Sequence, residues 1–260
     1  MSSALPTEAF MNHCFRKPHL IAIDSDGCAF DGMNIKQREA FIPEAIKTFR
    51  LDAYAELYQQ AAEEINLFSE HRGVNRFIAL YYALHLTQTR AKDPLPIPDL
   101  TDLNHFLKRS PNLSNQALQE WIADSPSEVL SLALEWSENT NRRVSEISSG
   151  IPVFPGVGSC LESASKQADL MICSAASTQT LLAEWKHAGL LRFISFTAGQ
   201  EYGSKANHLK QATQAGSFEP GHVLMVGDAL GDLEAAISSG ACFFPIIPDT
   251  LSPHLATPFK

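Results

Sequence analysis

Apolar and polar positions follow two different rhythms along this chain, and the change of rhythm divides it. From about Met33 to Ser149, apolar residues return at helical spacing almost throughout. Ala53–Leu67, Val74–Leu86 and Ser127–Ile147 carry apolar stripes, the last with Val129, Leu132, Trp136 and Val144 on one side. Such a stripe predicts a helix facing a core. Pro43, Asn112–Ser114 and Ser125–Ser127 read as helix starts. Asp93–Pro98, with Pro94, Pro96 and Pro98, reads as a stiff connector inside this zone.

The flanks have a shorter rhythm. His19–Ile23 is an apolar run ending at Asp24. Beyond Gly156 come Leu170–Cys173, Phe193–Phe196, Val223–Val226 and Ala241–Ile247, separated by amphipathic segments at Ser159–Gln167, Thr178–Ala188, Ser204–Ala215 and Leu230–Ser238. Short apolar runs alternating with helices indicate βαβ units and a parallel sheet covered on both faces. The expected fold class is α/β. Residues 1–30 and 150–260 form its core, and residues 31–149 are an all-helical insertion between the first strand and the rest. No internal repeat or low-complexity tract interrupts this reading.

Composition narrows the function classes. The 260 residues are 45% hydrophobic, and a chain of this length buries about 70–75% of its unfolded surface without help from disulfides or structural metal. Twenty Lys+Arg against 29 Asp+Glu leave a net charge of −9. That balance excludes a general nucleic-acid binder, which needs a basic face for phosphates, but leaves room for a local basic pocket. Cys14, Cys28, Cys160, Cys173 and Cys242 are odd in number and contain no CxxC pair, so neither zinc nor a disulfide framework is indicated. No apolar stretch follows Arg16 and Lys17, and no run reaches about 18 apolar residues. A soluble, cytoplasmic protein with no membrane partner is expected.

In open α/β sheets, ligands sit beyond the carboxyl ends of the strands, so the residues after each apolar run carry the functional argument. After the first stand Asp24, Ser25, Asp26, Gly27 and Cys28; after the second, Ser174, Ala175 and Ala176; after the fourth, Gly227 and Asp228, with Asp232 one helical turn on. Lys205 opens the helix before the fourth run. A D-x-D triplet alone arises by chance about half a time in a chain this rich in Asp, whereas G-D-x-x-x-D is expected only about 0.03 times. Converging carboxylates raise one another's pKa unless a cation bridges them. Hard oxygen donors without His or Cys favour Mg²⁺. Beside such an ion a carboxylate can attack a phosphoryl group, with a lysine and a hydroxyl holding the other oxygens and a second carboxylate serving as acid and base. Gly203-Ser204-Lys205 fails the P-loop spacing, and no G-x-S-x-G or HExxH occurs.

Ile23-Asp24-Ser25-Asp26-Gly27, Ser174, Lys205 and Gly227-Asp228…Asp232 resemble the four motifs of the haloacid dehalogenase superfamily, and Phe154-Pro155-Gly156-Val157 resembles the approach to the second strand in members with a helical cap. The resemblance covers about 20–30 and 150–247, and the cap by position only. It implies a Rossmann-like, three-layer core with a mobile helical cap. It makes Asp24 the nucleophile and Asp26 the acid and base, whose backbone carbonyl also meets Mg²⁺. Ser174 and Ala175 then bind phosphate, Lys205 bridges phosphate and nucleophile, and Asp228 ligates the metal, with Asp232 a ligand or behind one. An acid at Asp26 points to phosphoryl chemistry, because dehalogenases of the superfamily lack it. Cys28 departs from the Thr or Val of many members.

The implied activity is Mg²⁺-dependent hydrolysis of a small phosphorylated metabolite through an aspartyl phosphate. A phosphomutase and a non-catalytic binding or regulatory relative stay open as alternatives. Substrate choice is expected in the helical zone. There Arg72 and Arg76, four residues apart at the start of a predicted helix, are candidates to project from one face toward the leaving group; Lys36, Arg38 and Glu39 form a second group. The tail from Pro248, with Pro253 and Pro258, reads as a surface segment.

Overall fold

A computed structural model describes residues 6–147, 150–219 and 221–247; the tail from Pro248 lies outside them. In chain order the elements are α1 (Pro6–Met11), β1 (His19–Ile23), α2 (Gly32–Lys36), a π-helical turn Gln37–Phe41, α3 (Ile42–Thr48), α4 (Ala55–Phe68), α5 (Arg76–Arg90), α6 (Thr101–Arg109), α7 (Asn115–Asp124) and α8 (Glu128–Ile147). There follow α9 (Val157–Ala164), β2 (Ala168–Cys173), α10 (Thr178–His187), β3 (Phe196–Ala198), α11 (Lys205–Gly216), β4 (Val223–Gly227), α12 (Leu230–Ser239) and β5 (Cys242–Pro245). The chain divides into two compact units, Met1–Met33 with Ser148–Lys260, and Asn34–Ile147. Among the described residues no helix is long and apolar enough to cross a membrane.

The first unit is the expected α/β fold: a five-stranded parallel sheet in the order β3-β2-β1-β4-β5, flanked by helices. The apolar runs of β1, β2 and β4 become the three inner strands, where both faces are covered. Ile23 pairs with Ile172 on one side and Val226 on the other, so three strands end level. On one face Leu20, Ala22, Met171, Val223 and Met225 pack with Leu209 and Ala212 of α11 and Ala235 and Ala236 of α12. Leu161 of α9, and Leu181 and Trp185 of α10, are also buried. The short α1, which the sequence pattern does not announce, adds a fully buried Phe10, its ring 4.3 Å from that of Phe196 and tilted 32° to it.

The third strand begins where its predicted run ends. Leu191–Phe193 form a 3₁₀ turn instead, and Ser195 N donates to Leu170 O before β3 proper begins. Gly189, at φ +69°, ends α10, and the chain needs a tight turn to return to the sheet edge. A short apolar run cannot by itself distinguish strand from buried turn.

The second unit is all-helical among its described residues, around a core that includes Phe49, Phe77, Leu84, Phe106, Leu118 and Trp136. Ser114 caps α7, accepting from Ala117 N at 3.2 Å, as expected of the 112–114 stretch. Pro43 does not start a free helix. It lies inside a continuous one that runs from α2 through the π-helical turn into α3. Lacking an N–H, Pro43 leaves Glu39 O without its helical donor. Arg143 Nε donates there at 3.2 Å, and Ile42 N reaches back to Gln37 O in wider π spacing.

Candidate active site

The level strand ends bring the predicted residues of the first unit together. Asp24 leaves β1 with its amide donating to Val226 O at 3.0 Å, and Ser25 N donates to its Oδ1 at 2.8 Å. Carboxylate oxygens of Asp24, Asp228 and Asp232 all lie within 4.8 Å of one another. Lys205 Nζ donates to Asp232 Oδ1 at 2.6 Å and pairs with Asp24 Oδ2 at 2.8 Å. The lysine stands at the first residue of α11 because Ser204 caps that helix, accepting from Asn207 N. Asp232 is held from behind as well: its Oδ2 accepts from Ala229 N at 3.1 Å. A side chain at Gly227 would overlap the Asp232 carboxylate, which explains the glycine of the Gly227-Asp228 pair.

Charge in this cluster is unevenly balanced. Burial pushes the Asp24 carboxyl up to about 7; Lys205 pulls it down, and Asp232 and Asp228 push it up again. Burial also opposes the charge on Lys205, but Asp24 and Asp232 outweigh it and hold the ammonium above the ordinary lysine range. Lys205 thus pairs with Asp24 and Asp232, and a carboxylate oxygen of Asp228 lies within 4.8 Å of theirs. An all-oxygen donor set of three carboxylates fits a hard divalent cation such as Mg²⁺. Burial drives the neighbouring Cys28 and Cys173 thiols well above their usual range, so neither supplies a thiolate ligand.

Ser174 follows β2 and is buried, its amide donating to Ala198 O and its Oγ accepting from Ala176 N at 3.3 Å. Ala175 beside it is exposed. The Asp26 carboxylate is not in the acidic cluster; it rests against Gly32, where a side chain would collide with it.

The expected arginine pair is not formed as a pair. The helix starts at Arg76 behind an Asn75 cap, two residues later than its periodicity suggests, so Arg72 stands in the preceding turn with Nη1 donating to Leu67 O. The two residues therefore do not share a helix face. Lys36 lies at the end of α2, and Arg38 pairs with Glu63 at 3.1 Å.

Five supporting residues carry no motif. Trp185 Nε1 donates to Ser25 Oγ at 3.0 Å, fixing the residue between the two aspartates. Thr178 N and Oγ1 both donate to Glu201, at 2.9 and 2.7 Å. This joins the start of α10 to the loop before Lys205, and Gly199 allows the close approach because a side chain there would strike Thr178 and Ala176. Fully buried His208, one turn after Lys205, sits with Nδ1 3.5 Å from Cys173 Sγ. Burial, and then Lys205, lower its pKa to about 4. Only Gly199, standing after an apolar run, left a trace in the sequence.

The sequence model of the haloacid dehalogenase-like hydrolases matches residues 18–240. No curated protein matches the chain. Similar solved structures include a haloacid dehalogenase-like family hydrolase from Streptococcus pneumoniae (18% identity, TM-score 0.52, covering 88% of this chain and 84% of that one). Others are a hydrolase from Pseudomonas syringae (14%, 0.51, 87% and 83%) and a predicted phosphatase from Clostridium acetobutylicum (11%, 0.50, 87% and 83%). At such identities these likenesses concern the fold.

Proposed function

Because the chain belongs to the haloacid dehalogenase-like hydrolase family, we propose that it is a Mg²⁺-dependent phosphatase acting on a small phosphomonoester. The observation that carries this reading is the ammonium of Lys205, held between Asp24 and Asp232 with Asp228 beside them. A hydrolase using water alone has no need of a buried carboxylate locked to a lysine at a strand end. A nucleophilic carboxylate that must stay ionised does.

The reaction is assigned to the residues as follows. Asp24 attacks phosphorus, the bond from phosphorus to the leaving oxygen breaks, and an aspartyl phosphate forms. Asp26 protonates the leaving oxygen as it departs. Asp26 then takes a proton from a water that attacks the same phosphorus, releasing inorganic phosphate and restoring the Asp24 carboxylate. Lys205, the Ser174 hydroxyl and the Ala175 amide hold the phosphoryl oxygens. Asp24, Asp228 and the Asp26 carbonyl would hold the Mg²⁺, with Asp232 behind; its charge lowers the repulsion between carboxylate and phosphoryl group. Asp26 must rotate away from Gly32 to act. The helical unit is assigned the role of cap.

The test is phosphate release from p-nitrophenyl phosphate at neutral pH, with Mg²⁺ or EDTA, by wild type and Asp24→Asn. Release that requires Mg²⁺ and falls at least about 10⁴-fold in the variant is expected, since the nucleophile has no substitute. Undiminished release by Asp24→Asn would sink the mechanism.

A further inference from the structure

Ser25 stands between Asp24 and Asp26 and is fully buried. Its amide donates to Asp24 Oδ1, and its carbonyl accepts from Ala29 N at 2.9 Å and Phe30 N at 3.0 Å. These bonds lie within residues 24–30, so they shape the loop without holding it to another element. The Ser25 hydroxyl differs. It accepts from Trp185 Nε1 at 3.0 Å, across 160 residues of chain. Among the described residues this is the one hydrogen bond from Ser25 to a residue outside the loop.

Trp185 meets the same loop a second time. Fully buried on α10, its ring lies 5.5 Å from that of Phe30, at 64° to it. Phe30 in turn pairs with Asp26 and Val153 in isolated β-bridges, and its carbonyl accepts from Gly27 N at 2.8 Å. A buried indole needs an acceptor for its N–H, and a main-chain carbonyl suffices: Trp136 of the helical unit donates to Phe41 O at 3.0 Å. Trp185 donates instead to a side chain between two motif aspartates. Its helix is tied to the rest of the site as well. α10 begins just after Ser174, and Thr178 in its first turn binds Glu201, in the turn before Lys205.

We infer that Trp185 is a positioning residue: acting through Ser25, it sets Asp24 and Asp26 against Ser174 and Lys205 by way of one shared helix. A misplacement of about 1 Å at a reacting group costs about 10²-fold in rate, so a bond that fixes the nucleophile's neighbour is read in kcat. Substrate binding does not pass through that bond, so KM is spared. The effect on rate rests on the phosphatase reading; the effect on metal affinity is read separately.

The experiment compares wild type, Ser25→Ala, Trp185→Phe and the double variant, with circular dichroism checking the fold. Should Trp185→Phe not fold, Ser25→Ala, which removes one oxygen, carries the test. With p-nitrophenyl phosphate and Mg²⁺, kcat should fall at least about tenfold in each single variant, with KM within about twofold. The double variant should be no slower than the worse single, because both changes remove one bond. Losses that multiply, or an unchanged kcat, overturn the inference while wild-type turnover upholds the phosphatase reading. In parallel, the Trp185 Nε1–H resonance, assigned by its absence in Trp185→Phe, is followed by NMR as MgCl₂ is added to wild type and Ser25→Ala. A saturable shift is expected, with affinity about tenfold weaker in Ser25→Ala. That result beside a wild type that releases no phosphate sinks the phosphatase reading and leaves the positioning of the carboxylates standing. A wild type with neither turnover nor a Mg²⁺ response, or without turnover and with equal affinities in the two proteins, overturns both.

Discussion

The two units place their buried charges differently. In the α/β unit, Asp24, Asp232 and Lys205 satisfy one another at under 3 Å, and Trp185, Ala229 and Ser25 anchor the surroundings. In the helical unit, the Arg76 guanidinium meets neutral oxygens, Ser137 O, Ser137 Oγ and Asn141 Oδ1. A parallel sheet explains the first pattern: its register lines up strand ends from distant parts of the chain, so carboxylates gather and must be compensated. Helices meeting side by side impose no such convergence.

The contrast can be broken most forcefully at Lys205. Removing the ammonium in Lys205→Met leaves buried carboxylates facing one another, and losing one partner of such a pair costs about 3–5 kcal/mol. Urea denaturation at pH 8 without metal should show that loss, with kcat down by at least about 10³. A change under about 1 kcal/mol would mean the cluster is not held by its charges.

Next comes a titration. His208 is lowered to about 4 from its ordinary 6.5, so its contribution is fully present above pH 6.5 and is lost as the pH falls toward 4, on the order of 3 kcal/mol. Asp24, raised to about 7 from 3.8, has the opposite sign: its burial favours the fold at low pH, and that advantage is lost as the pH rises through 7. The measurement therefore belongs in Asp24→Asn protein. Stability there should fall between pH 6.5 and 4, and His208→Leu should flatten the curve; an unchanged slope would exclude His208 as its source.

The smallest effect is expected across the divide. In the helical unit, Tyr58→Phe removes a hydroxyl without a protein partner, and should alter stability by no more than about 0.5 kcal/mol. A loss above about 1.5 kcal/mol would show that the hydroxyl contributes to the helical core as the charged cluster does to the sheet.

Much of the α/β unit was legible from the sequence because its information is local. Asp24 and Asp228 directly follow apolar runs, and a run bounded by Gly and Asp marks a strand end wherever the chain later goes. Ser204 and Ser114 announced their helices by chemistry at the cap itself. What stayed hidden depends on partners remote in sequence. Trp185 is one of three tryptophans until Ser25 meets its indole. Glu201 is a surface-type residue until Thr178 turns two donors on it, which hold its carboxyl below the usual range against burial. The periodicity of 74–86 located α5 but not its first residue. Asn75 fixed that start, and with it the separation of Arg72 from Arg76.

The position of β1 in the sheet has a further consequence during synthesis. Strand β1 leaves the ribosome before the helical insertion, and its neighbours β2 and β4 both lie beyond that insertion. The core of the helical unit is built entirely from residues between Ile42 and Trp136, so it is complete in the nascent chain before Ile23 can find either Ile172 or Val226. The central strand, with Asp24 at its end, waits unpaired while the insertion folds. Pairing across so long a segment carries the larger loop-closure cost, and until it forms the run from His19 to Ile23 is an exposed apolar stretch of the kind chaperones bind.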